Sequence, residues 1–337
     1  MNKKLGDGTS RFADPPRIVS AASVVGPKEA EGPLGGSFDA EIEDEMFGQE
    51  TWERAESAFT RRGIKLAAEK AGMEIGGADF IIGGDLLNQS IGTTFGARGL
   101  TRPLIGIYGA CSTFGEGLGL GAMMIDGGFA GRVIVGASSH FCAAERQFRF
   151  PLSMGTQRPP TSTWTVTGHG AAVLASEGDG FPRITHFTAG VITDYGVTDA
   201  NNMGGAMAPA AWDVIARHLR DTGRAPDYYD AIVTGDLGSV GSSLLLDLAR
   251  GDGADLTGAH ADCGVMIYDP EKQDTHAGGS GCACSAATFA AVFYPKLRTR
   301  KLNRLLFVPT GAMLSATSVQ QGESIPCVAY AVAIENL

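Results

Sequence analysis

Short apolar runs alternate with segments of helical spacing along most of this chain. Arg102-Pro-Leu-Ile-Gly-Ile-Tyr108 reads as a strand and Gly109-Ala110-Cys111-Ser112 as a turn. Thr113 to Ile125 then reads as a helix of small residues, Gly127-Gly128 as a turn, and Arg132-Val-Ile-Val-Gly-Ala137 as the next strand. Trp52, Ala55 and Phe59, spaced i, i+3, i+7, open a helix that runs to about Ala71, where Gly72, Gly76 and Gly77 end it. Ala211 to Arg220 predicts another helix.

The pattern occurs twice. Ala78-Asp79-Phe-Ile-Ile-Gly-Gly84-Asp85-Leu86 pairs with Tyr229-Asp230-Ala-Ile-Val-Thr-Gly235-Asp236-Leu237. The first copy leads to Gly109-Ala-Cys111-Ser112, a helix and Arg132–Ala137; the second leads to Gly281-Cys-Ala-Cys284-Ser285, a helix and Arg304–Ala312. This is an ordered internal duplication. Continuous apolar strands alternating with helices predict an α/β fold with a mostly parallel sheet covered on both faces. Two such βαβ halves stacked together make a five-layer α/β/α/β/α body, with ligands bound where strand ends of the halves meet. Residues 1–16 read as a polar N-terminal tail, 17–180 as the first half and 181–337 as the second. Residues 39–56, with eight acids against Arg54, read as a solvated surface segment.

Composition narrows the classes. Hydrophobic residues make up 44% and charged residues 19% of the 337, so a sizeable core can form. A net charge of −10 argues against nucleic-acid binding and against adhesion to anionic lipid through a basic patch. No run reaches the ~18 apolar residues of a membrane span. The start, Met1-Asn-Lys-Lys-Leu-Gly-Asp7, lacks the apolar stretch of a signal peptide. The six cysteines follow neither a disulfide framework nor a zinc pattern, and a reducing compartment is expected. Gly115-Glu-Gly117-Leu-Gly119 falls inside a helix, so it is no nucleotide-binding turn.

Cys111 sits between strand and helix, where backbone N–H groups and the helix dipole favour a thiolate. That is the place of a nucleophile in an acyl-transfer enzyme; the alternative is a small buried apolar residue. At these residues the chain resembles the thiolase/ketoacyl-synthase superfamily. Cys111 matches its nucleophile turn, Thr167-Gly168-His169-Gly170-Ala171 its Gly-Asp-Gly-Ala strand with His169 in place of Asp, and Gly279-Ser280-Gly281-Cys282-Ala283 its Gly-Asn-x-Ser-Ala segment. More narrowly, the chain resembles the stage V sporulation protein AD family of spore-forming bacteria over roughly residues 15–335. The segments that carry this are Ala110–Gly115, Gly84–Gln89, Asn202–Gly204 with Ala206–Ala210, Thr234–Gly238 and Gly279–Cys284.

The resemblance implies a thiolase-like fold and a homodimer. It also implies binding of dipicolinic acid, free or as its calcium chelate, for uptake into the developing spore. Other proteins of the same sporulation operon are the implied partners, holding a soluble or peripheral protein at the spore's inner membrane. No other cofactor is implied. A functioning acyl-CoA condensing enzyme using Cys111, and a scaffold with a vestigial pocket, are the alternatives.

Where several condensing enzymes place His, this chain has Gly235-Asp236; where they place Asn or His, it has Ser280-Gly281. A carboxylate beside a thiol raises its pKa and repels an oxyanion, so a binding pocket without condensing chemistry is expected. Asp85 and Asp236 either cap helices or reach the pocket as hard donors for calcium. His140 and His169 are either structural side chains or site residues. Cys111, Ser112, Asp85, Asn88, His140, His169, Asp236, Ser280 and Cys282 form the expected ligand-binding set. Arg98, Arg102, Arg146 and Arg149 are candidate carboxylate donors. Phe141, Phe148 and Phe150 are candidates to stack on a pyridine ring, and the amides that follow Cys111 to hold one carboxylate.

Overall fold

The chain runs the same course twice. In the computed structural model, which describes residues 3–149 and 158–337, the first course is β1 (Arg17–Val25), α1 (Trp52–Lys70), β2 (Phe80–Gly84), α2 (Ile91–Ala97), β3 (Leu104–Gly106), α3 (Thr113–Asp126), β4 (Arg132–Ser139), α4 (Phe141–Phe148) and β5 (Gly168–Ala175). The second is β6 (Arg183–Ala189), α5 (Met203–Thr222), β7 (Ala231–Thr234), α6 (Gly238–Gly251), β8 (His260–Asp262), α7 (Cys282–Thr288), β9 (Arg304–Val308) and β10 (Cys327–Glu335). The strands lie in the order β8-β7-β9-β10-β6-β1-β5-β4-β2-β3. Each half repeats the other's order, and the halves join at one residue pair, Arg183 with Arg17.

The expected mostly parallel sheet is mixed. β2, β3 and β4 are parallel, as are β7, β8 and β9, but β5 and β10 run antiparallel to both of their neighbours. Periodicity does not reveal this, because a strand buried on both faces reads as one apolar run in either direction.

Side-chain alternation sorts the core into three clusters. Ile64, Ala67 and Ala68 of α1 pack on Ile81, Ile134 and Val173 of the first half. Phe114, Leu118 and Ala122 of α3 meet Val133, Val135 and Leu174 on one side and Phe307, Val332 and Ile334 on the other. Met207, Ala211 and Val214 of α5 cover Leu306, Val308, Ala331 and Ala333. Outer helices, sheet, central helices, sheet and outer helices thus make five α/β/α/β/α layers.

The central helices approach the strands closely. A Cβ at Gly170 of β5 would lie 2.2 Å from the carbonyl carbon of Ala286 in α7, so any side chain there forces the helix away. The segment before β1 is not a free tail. Thr9–Arg11 pairs antiparallel with β6, and Thr9 Oγ1 donates to Asp221 Oδ2 at 2.8 Å. Nor is the acidic segment solvated throughout. Asp39 accepts from the Ser23 amide and pairs with Lys70, while Glu56 turns inward and accepts from Ser138 Oγ.

Gly170→Val is expected to lower stability by about 3 kcal/mol, through overpacking against α7. Urea denaturation followed by circular dichroism measures it.

Candidate functional site

The turn between β3 and α3 closes on itself. Ser112 N and Oγ both donate to Gly109 O, at 3.1 and 2.6 Å, and Thr113 N and Oγ1 both donate to Ala110 O, at 3.1 and 2.6 Å. Ala110 is held at φ +48°, a left-handed conformation that a non-glycine residue rarely adopts. This sharp turn carries Cys111 to the wall of a cavity of about 340 Å³. Leu86, Phe148, Met203 and Leu314 give the cavity apolar surface; Tyr108, Thr165, Asn201 and Ser280 give it polar groups. Glu145 on α4 and Arg149, which caps that helix one turn later, line it as an ion pair.

The Cys111 thiol lies within the electrostatic reach of the Asp236 carboxyl. Asp236 also accepts from Thr310 Oγ1 and from Gly281 N, both at 3.1 Å. Burial, helped by the charge of Asp262, pushes Asp236 up to about 7. Burial first, and then Asp236, pushes the thiol well above its ordinary range. The effect of the carboxylate outweighs whatever the helix start offers, so the thiol is protonated at neutral pH. The turn's own bonds also occupy the Ser112 and Thr113 amides that the sequence reading offers to a carboxylate.

None of the imidazoles among the described residues lines the cavity. His140 is the N-cap of α4, with Nε2 3.0 Å from Glu45 O. His169 fits into space left by Gly63 and Gly136 on the outer face of the first sheet, and burial lowers its pKa to about 3. Asp85 accepts from Leu87 N at 2.8 Å and from Thr93 N at 2.7 Å, and its carboxylate is fully buried. Asn88 is exposed, with its amide donating to Gln147 Oε1 at 2.9 Å. Ser112 is internal to the turn.

Of the expected set, then, Cys111 and Ser280 line the cavity and Asp236 lies behind Cys111. Cys282 is buried at the first position of α7, where its Sγ donates to Ala110 O at 3.0 Å. Cys284 Sγ likewise donates to Gly235 O at 3.4 Å, so the two thiols brace the residues before Cys111 and Asp236. Among the candidate donors Arg149 lines the cavity, while Arg146 pairs with Glu53, Arg102 donates to Gly76 O and Arg98 lies over Phe95. Phe148 lines the cavity and Phe141 stacks on Trp164. Phe150 lies outside the described residues. Glu145 and Asn201 escape the sequence reading; the signal for Glu145 is its i, i+4 spacing from Arg149 on an amphipathic helix.

The fold, with a cysteine at the head of a central helix, is that of the thiolase-like condensing enzymes. It is similar to 3-oxoacyl-[acyl-carrier-protein] synthase III from Aquifex aeolicus VF5, with a TM-score of 0.57 and 14% identity over 95% of this chain and 99% of that one. It is also similar to a variant of OleA from Xanthomonas campestris, with a TM-score of 0.60 and 14% identity over 96% and 99%. A sequence profile of the family "Stage V sporulation protein AD" matches residues 6–335. A relative of that name from Bacillus subtilis (strain 168) is 44% identical over 334 residues, 99% of this chain and 98% of the relative. The chain belongs to the stage V sporulation protein AD family.

Two outcomes are expected. Iodoacetamide alkylates Cys111 more slowly than a free thiol near pH 7.5, and Asp236→Asn speeds the reaction by removing the opposing charge; mass spectrometry with time reads both rates. The second concerns stability. A carboxyl raised in the folded state contributes fully below the ordinary carboxylate range and loses that contribution as pH rises to about 7. Wild-type Tm should therefore fall relative to Asp236→Asn across that window, as scanning calorimetry at stepped pH will show.

Proposed function

We propose that this sporulation protein binds a small aromatic dicarboxylate, dipicolinic acid, in the cavity beside Cys111 and serves its uptake into the developing spore. In this reading the protein catalyses no acyl transfer. The observation that carries it is the composition of the cavity. One guanidinium, an aromatic and aliphatic wall and a few hydroxyl and amide groups surround a thiol that faces a carboxylate instead of an imidazole. Condensation needs the reverse, a lowered thiol pKa and donors aimed at a developing oxyanion.

Size and polarity support the reading. About 340 Å³ is at the small end of ligand cavities, suited to a single ring with short substituents. Arg149 offers a planar fork that fits a carboxylate, while Phe148 and Tyr108 offer ring surface. Calcium enters this proposal only with the ligand, as its chelate. Asp85 and Asp236 commit their oxygens to internal donors, and Glu145 is the carboxylate that lines the cavity among the described residues.

The same reading places the protein as a homodimer, held peripherally at the spore's inner membrane by other products of its sporulation operon. No helix among the described residues is long and apolar enough to cross a membrane.

Calorimetric titration with dipicolinate, with and without calcium, tests the reading. Saturable one-site binding is expected. Arg149→Met should weaken it at least tenfold, the scale of one charged hydrogen-bonded contact. Cys111→Trp should abolish it by filling the cavity. No binding by the folded wild-type protein would contradict the proposal.

A further inference from the structure

Arg149 is the only cation lining the cavity among the described residues, and it is already engaged. Its Nε donates to Glu145 Oε1 at 3.0 Å, and its Nη1 donates to Asn201 Oδ1 at 2.5 Å. The pair is shielded, with the Arg149 and Glu145 side chains 18% and 13% exposed. The two charged residues that line the cavity therefore sum to zero.

A dicarboxylate entering this space meets a difficulty. To receive the Arg149 fork it must either displace Glu145 or add its own charge beside that carboxylate in a mostly apolar cavity. The second arrangement puts three negative charges around one positive charge, away from water. The first leaves Glu145 without its partner. Among the described residues, its remaining charged or titratable surroundings offer little. Cys142 lies on its own helix, and Tyr108 and Cys111 lie on the cavity wall. Arg158, from the segment before Trp164, is itself paired with Asp274. An unpaired carboxylate in such a place is neutralised.

We propose that Glu145 takes up a proton as a dicarboxylate displaces it from Arg149, so that ligand binding in this cavity is coupled to proton uptake. The guanidinium stays charged and moves its N–H donors from Glu145 to the ligand, while the proton comes from solvent and bonds to a Glu145 carboxyl oxygen. The inference rests on the dicarboxylate reading above. Burial already holds Glu145 above the usual carboxylate range with Arg149 still beside it, and loss of that partner pushes it further in the same direction. The cavity then fills most readily on the acid side of neutrality and releases its ligand as pH rises.

The test is calorimetric titration of the full-length protein with dipicolinate and EDTA, at about pH 6, 7 and 8. Each pH is run in two buffers of different ionisation enthalpy. The ligand stays a dianion throughout, since its carboxyls titrate in the acid range. The expected result is uptake of up to one proton per ligand, with the apparent Kd weakening by up to about tenfold per pH unit. Glu145→Gln, with an unchanged circular dichroism spectrum, should bind with less proton uptake than wild type and with a Kd that varies less with pH. Wild-type binding without proton uptake overturns the inference and leaves the binding reading standing. So does equal uptake by Glu145→Gln. Absence of binding at every pH removes the dicarboxylate reading itself, and this inference with it.

Discussion

A carboxyl buried against a thiol, at the seam between two halves of one chain, sets the character of this molecule. Asp236 stands at the end of β7 in the second half, and Cys111 stands at the head of α3 in the first. Asp236 makes ionisation of the thiol costly, while burial and the charge of Asp262 raise Asp236 itself. Asp236 is fixed within its own half, where it accepts from Gly281 N ahead of α7 and from Thr310 Oγ1 past β9. The fold is thiolase-like, and the thiol at the head of α3 is held in its protonated form.

The duplication gives this contact a counterpart. Asp85 ends β2 as Asp236 ends β7, and its charge acts on Cys282 at the head of α7 as that of Asp236 acts on Cys111. Each half's aspartate thus faces the other half's cysteine. The two sites differ in access. Cys282 is fully buried and its thiol is tied to Ala110 O, whereas Cys111 is 5% exposed and borders the cavity. The buried copy braces the turn that presents the open one. One cysteine therefore braces the turn and the other borders the cavity, on the same local plan.

Much of this was legible in the sequence. The repeated acid–strand–Gly-Asp-Leu pattern marked the two halves, and the Gly109–Ser112 turn marked the cavity. Strand direction was not legible, since β5 and β10 are buried on both faces and read alike in either orientation. The site residues divide for a physical reason. A residue at a strand end points either into the ligand space or into its own turn, and sequence alone leaves the choice open. Asp85, Ser112 and Asn88 took the second course, and His140 and His169 filled gaps in packing. Asn201 was missed because its contact with Arg149 forms only when the end of α4 and the segment before α5 meet across the cavity, whereas Glu145 was legible in its i, i+4 spacing from Arg149 and was overlooked.

A crystal structure of the wild-type protein grown with dipicolinate tests the central claim most directly. The account predicts a pyridine ring in the cavity against Phe148, with one carboxylate on the Arg149 fork and Cys111 unmodified. Ligand density elsewhere on the molecule, or a dipicolinate joined covalently to Cys111, would contradict it.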